Sequence, residues 1–276
     1  MHSRLRAISL HTLLATLLLL PGLAAAAQTS PYLQHLLRLH LAAQKSLGDF
    51  YMYNSMEGDQ RYARMIDESR REASEQLSTL AGIPDVGAAR LHAQLQQQWQ
   101  AYDRDLSELM AALAKQGYTD LQPVADMAAR NRQVLATSQA LYEALQRTDP
   151  GAISEQTAST RELSLLMQGI AVSYAARSAS VGASFSGDSS ERPIEDQVTD
   201  FSSRLTALRN RPDNDARIDT ALDAVTTKWR YIEKSLRNYN EKSVPFLVNK
   251  YSDSIIRGLM EVTELYARQD QVSEPS

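Results

Sequence analysis

The chain of 276 residues has no cysteine, so neither disulfides nor a covalently attached c-type haem is available to it. With only 11 glycines and 9 prolines, it is short of the tight turns that an all-β protein needs, which leaves a helical protein as the first expectation. Its 29 Lys and Arg against 33 Asp and Glu leave a net charge of −4, and the basic residues are scattered rather than striped. That distribution gives no electrostatic footprint for nucleic acid. Beyond the N-terminus the most apolar stretch is Val244 to Val248, far short of the roughly 20 residues of a membrane span. The chain has no Gly-x-Ser-x-Gly elbow, no phosphate-cradling glycine loop and no Glu-x-x-His pair of a di-iron bundle. Glu68, Glu72 and Glu75 among Arg64, Arg70 and Arg71 read as a solvated, salt-bridged helix face. We therefore expect no enzyme, no metal centre and no cofactor.

The first residues have the layout of a secretory signal. Arg4 and Arg6 precede an apolar run from Leu13 to Leu20, the breaker Pro21-Gly22, and a block of small residues ending at Ala27. Residues 1–27 are expected to be removed after export, leaving a soluble periplasmic protein.

From there to the C-terminus the chain is helical in period almost throughout. Leu91, Leu95, Trp99, Tyr102, Leu106, Leu109 and Leu113 alternate spacings of three and four, as do Ile218, Leu222, Val225, Trp229, Ile232 and Leu236. Breakers divide the chain into segments 31–57, 59–81, 86–116, 122–147, 152–185, 191–210, 213–243 and 245–271, with Gly58 leaving open whether the first two are one helix. The expected fold is all-α: two tandem antiparallel four-helix bundles over residues 28–149 and 150–271, followed by a frayed tail, 272–276. The halves read as divergent copies. Trp99 and Trp229, the two tryptophans of the chain, each lie seven residues before a leucine. Upstream of them, Leu77-Ser78-Thr79-Leu80 answers Leu205-Thr206-Ala207-Leu208, and Pro84-Asp85 answers Pro212-Asp213.

The opening helix of each half carries the informative residues: His40, Gln44 and Lys45 in the first, and Ser164 to Tyr174, with Gln168, Gly169, Ile170 and Ala171, in the second. This segment resembles the opening helix of the PilJ-type domain, the extracytoplasmic module of type IV pilus chemotaxis transducers, whose motif is similar to Arg-Met-Leu-Ser-Gln-Arg-Ile-Ala-Lys-Ala-Tyr. Gln168, Ile170, Ala171 and Tyr174 match it, while Ser164 and Gly169 stand where the motif has arginine. In the first half His40 and Lys45 flank the matching Gln44 in those arginine positions.

The resemblance implies a helical sensor module, often a homodimer, that receives a small anionic ligand near these helices and passes its bound state to an envelope sensor or pilus protein. The candidate ligand-binding residues are His40, Gln44, Lys45, Gln168 and Tyr174. Bidentate recognition of an oxyanion by arginine is not reproduced by His or Lys, so nitrate binding does not carry over. On residues alone, His40 lies on the Leu33, Leu36, Leu37 seam as a core histidine would, and Lys45 reads as a snorkelling surface lysine. Two alternatives stand beside the sensor: a structural or adaptor protein of the cell envelope or type IV pilus system, and a periplasmic metal carrier using Met52, Met56 and a histidine.

Overall fold

A computed structural model describes residues 21–83, 85–179, 192–238 and 243–273. The charged and apolar parts of the proposed leader, residues 1–20, lie outside the described residues, as does the breaker segment from Gly187 to Glu191. Every regular element among the described residues is an α-helix: α1 (Pro21–Ser55), α2 (Gln60–Thr79), α3 (Val86–Gln116), α4 (Leu121–Thr148), α5 (Glu155–Ala179), α6 (Ile194–Arg209), α7 (Ala216–Arg237) and α8 (Pro245–Ser273). The protein is all-α. None of these helices is long and apolar enough to cross a membrane. α1 runs unbroken through Ala27, the expected processing point, and α8 continues two residues into the expected tail.

Gly58 does separate the first two segments. At the end of α1 the Gly58 N–H donates to the Tyr53 carbonyl at 2.9 Å, with Glu57 at φ 52° and Gly58 at φ 83°. That is a Schellman-type stop, which needs left-handed backbone just past the helix. Asp59 then starts α2 by accepting the Arg61 N–H at 2.8 Å. Asp85 and Asp215 cap α3 and α7 in the same way, accepting from Ala88 N and Ile218 N at 2.7 and 2.8 Å. The capping pair is therefore Asp85 with Asp215, two residues beyond the Asp213 expected from the Pro-Asp dipeptides. The linker in the second half is longer by that amount, and capping geometry tracks the helix rather than the dipeptide.

Two hydrophobic cores result. One is built by α1 to α4 with Ala175 of α5, the other by α5 to α8 with Leu37 and Leu41 of α1. α1 packs against α2, α4 and α5, and α5 against α1, α6 and α8. The opening helices of the halves are thus the shared wall, and each sends apolar residues into the other half's core. Their sequences explain this: α1 carries Leu33, Leu36 and Phe50 on one side and Leu37 and Leu41 on another, so no single stripe could bury them.

The tryptophans occupy matching positions. Trp99 and Trp229 are both buried, and their indole N–H groups donate to Ser74 of α2 at 3.0 Å and Ser202 of α6 at 3.1 Å. The sequence register that sets Leu77 against Leu205 also sets Ser74 against Ser202. One position earlier, Ala73 faces Phe201 in that alignment. In the tryptophan helices Tyr102 stands opposite Ile232, and all four side chains are completely buried. The aromatic ring against the tryptophan therefore comes from α3 in the first core, Tyr102 at 5.6 Å between centroids, and from α6 in the second, Phe201 at 4.3 Å. Large and small residues have exchanged helices while the core stays filled.

Candidate functional site

The five residues singled out from sequence fall on the α1/α5 wall and its edges, and most are engaged there. Tyr174 is buried, and its hydroxyl accepts the Val244 N–H at 2.9 Å, just ahead of α8. Gln168 is buried on α5. Gln44 reaches across from α1: a Cβ at Gly169 would meet its Nε2 at 3.6 Å and Gln197 Oε1 of α6 at 3.8 Å. Both are ordinary van der Waals distances, so Gly169 lies beside two glutamine side chains without being forced to be glycine. The Gln44 Oε1 is buried without a hydrogen-bond partner.

Lys45 is not a free surface cation. Its Nζ lies 2.9 Å from Asp253 Oδ2 of α8 and 3.0 Å from Asp49 Oδ2, one turn along α1. Asn249 of α8 donates to Asp49 Oδ1 at 3.2 Å. Burial works against the charge on Lys45, but the Asp49 and Asp253 carboxylates outweigh it and raise its pKa. The Asp49 carboxylate is fully buried; desolvation overcomes Lys45 and pushes its pKa up to about 6. This cluster, with Arg38 to Glu264 at 3.1 Å two turns away, ties α1 to α8 across the two halves.

His40 is also changed by its surroundings. It is buried, its Nδ1 has no hydrogen-bond partner, and desolvation, with the Arg161 guanidinium adding to it, pushes its pKa down to about 3. His40 is therefore neutral at pH 7, an uncharged imidazole on the buried seam of α1, while Lys45 is held by two carboxylates. The methionines of the metal-carrier reading are divided as well, with Met52 fully buried in the first core and Met56 exposed. Among the described residues no three His, Asp or Glu side chains gather as metal ligands.

The charge that pushes on His40 marks a place outside the sequence-based expectations. Arg161, on α5, is 5% exposed. Its guanidinium carbon sits 3.4 Å from the centre of the Tyr142 ring of α4, its Nη2 donates to Gln139 Oε1 at 3.0 Å, and its Nε has no partner. Burial lowers its pKa, although an arginine stays charged at neutral pH. Among the described residues no carboxylate stands within ion-pair distance of it. A buried cation without a contacting counter-ion is costly, and the tyrosine face, with the Glu162 and Glu143 carboxylates acting from farther off, does not offset its desolvation.

Arg161 lines a cavity of about 450 Å³ between α4, α5 and α6, with Tyr142, Glu143, Gln146, Leu165 and Arg204. Arg204 is already engaged, donating to Asp200 at 2.7 Å and to Glu162 at 3.0 Å. The sequence signal for Arg161 was available: it is the one basic residue in the first 20 positions of α5, about two turns before Gln168. Its partners on α4 were not, because nothing in α5 says which helix lies across from it.

No family model, curated protein or solved structure matches the chain.

Proposed function

We propose that this protein is a ligand-binding module of the cell envelope, exported to the periplasm, which takes a small anion at Arg161 and passes the bound state to a partner protein, an envelope sensor or pilus component. The observation that carries the reading is the buried Arg161 guanidinium, which borders a cavity and lacks a carboxylate. A ligand anion there would supply the missing counter-charge, and charge-assisted bonds to guanidinium are the strong class of hydrogen bond. The likeness of Ser164 to Tyr174 to the PilJ-type opening helix supports a sensory role for α5, with the anion contact one turn before the expected motif. In this reading the role of the site is binding. A homodimer fits the same resemblance.

Binding can signal only if the ligand prefers one of two packings. The α1/α5 wall suits that role, because each of its helices sends apolar side chains into the other half's core.

A thermal-shift screen of small carboxylates and inorganic oxyanions, on the protein and on Arg161→Met, tests the reading. Stabilisation of the native chain that is lost in the variant is the expected result. Failure of every anion to shift the melting temperature would leave the second reading, a structural or adaptor protein. What favours that alternative is the number of candidate residues taken up in holding helices together, Lys45 and Tyr174 foremost.

A further inference from the structure

Two charges at the α4/α5/α6 cavity lack an ion-pair partner among the described residues, and they have opposite sign. One is Arg161. The other is Glu143, an exposed residue at the mouth, whose Oε1 accepts only the Gln139 Nε2 at 2.9 Å. Gln139 also gives its Oε1 to Arg161 Nη2 at 3.0 Å, so one amide stands between the guanidinium and the carboxylate, bonded to both. The other charged groups of the lining are engaged, Arg204 being shared between Glu162 at 3.0 Å and Asp200 at 2.7 Å. The lining therefore offers a cationic floor, an anionic rim, and an apolar side formed by Leu165 and Ala158.

We propose that the ligand of this cavity is a small zwitterion of the amino-acid class, its carboxylate on Arg161, its ammonium on Glu143 and its side chain against Leu165 and Ala158. This rests on the anion-binding reading above and narrows it. A simple carboxylate would satisfy Arg161 but would bring its charge close to Glu143. An amine would satisfy Glu143 and leave the buried guanidinium uncompensated. Only a molecule with both charges answers both groups, and such matched charge placement sets specificity more than raw affinity. The cavity volume suits a small molecule of this kind. Gln139 has the length to keep Arg161 and Glu143 in place whether or not the ligand is bound, which pre-organises the pair.

Calorimetric titration of the protein with matched sets separates this inference from the reading it rests on. The sets are alanine, propanoate and ethylamine, and leucine, 4-methylpentanoate and 3-methylbutylamine, which keep one skeleton and remove either the ammonium or the carboxylate. The expected result is that at least one amino acid binds tenfold or more tighter than its carboxylate, with no detectable binding of the amine. Glu143→Gln, a change at an exposed position that spares the fold, should bring the amino acid down to the level of its carboxylate. Arg161→Lys should weaken both. If carboxylates bind as tightly as their amino acids, or Glu143→Gln changes nothing, the zwitterion is wrong and the anion site stands. If neither amino acids nor carboxylates bind at millimolar concentration, the zwitterion falls, and the anion site falls with it when inorganic oxyanions also fail to bind.

Discussion

Trp229 donates its indole N–H to Ser202 across the second core as Trp99 donates to Ser74 across the first, at 3.1 and 3.0 Å. Each bond joins the second helix of its half to the third at the edge of the core, where Ser74 is exposed and Ser202 half-buried. Ser74→Ala and Ser202→Ala should each cost about 0.5–1.5 kcal/mol in urea unfolding, the net worth of a hydrogen bond that water can replace. A loss in one half only would mean that the two bonds are not equivalent.

The exchange of bulk beside these tryptophans gives a sharper test. Ala73→Phe puts into the first core the ring that Phe201 supplies in the second, and with Tyr102 still present it should overpack, at about 1–3 kcal/mol. Adding Tyr102→Ile, the residue found at the matching place in α7, should restore much of that loss. Additive destabilisation in the double variant would show that positions 73 and 102 do not share one space.

Lys45 holds Asp49 and Asp253 together where α1 meets α8. Replacing it with Met leaves a buried carboxylate without its cation, which should cost about 3 kcal/mol at pH 7. The pH dependence has a defined sign. Asp49 in the folded protein has its pKa raised to about 6, above its ordinary value of 3.8, so between those values the folded state holds more protons than the unfolded. Stability from this group is present at low pH and lost as pH rises through 6. Without Lys45 the Asp49 pKa rises above 6, so the penalty of Lys45→Met should shrink as pH falls towards 6, and Lys45→Met with Asp49→Asn should be largely pH-independent there. A penalty that is the same at pH 5 and pH 8 would show that Asp49 is not the group Lys45 compensates.

His40 pulls the other way. Its pKa falls from 6.5 to about 3 on folding, so the unfolded chain takes up the proton first and stability is lost as pH drops below 6.5. Between pH 7 and pH 5 the loss should be about 2 kcal/mol, measured as the difference between the native chain and His40→Leu. The comparison cancels the opposing contribution of Asp49. Equal pH slopes in the two proteins would place His40 in contact with water.

Much of the helical architecture was legible from breakers and periodicity. The seams of α3 and α7 match their buried faces closely, since a helix that buries one stripe writes that stripe into its sequence. The α1/α5 wall was less legible for the same reason: both helices bury more than one face, so the period blurs. His40 and Lys45 were visible as unusual residues, but what they do depends on groups far away in the chain, Arg161 and Asp253, that no local pattern points to. Arg161 itself was overlooked because arginine in a helix is ordinarily a surface residue, and only tertiary packing puts Tyr142 under it.

On the proposed function Arg161 is a buried guanidinium awaiting an anion. Its Nε–H is buried without an acceptor in the folded protein, within the same guanidinium that borders the cavity, so its resonance senses a change of charge on that group. In a proton–nitrogen correlation spectrum, with the resonance assigned by its loss in Arg161→Lys, titration with alanine or leucine should move the Arg161 Nε–H signal downfield in a saturable way as a carboxylate settles on the guanidinium. A signal that stays in place through millimolar additions of amino acids, carboxylates and inorganic oxyanions would rule out Arg161 as an anion site.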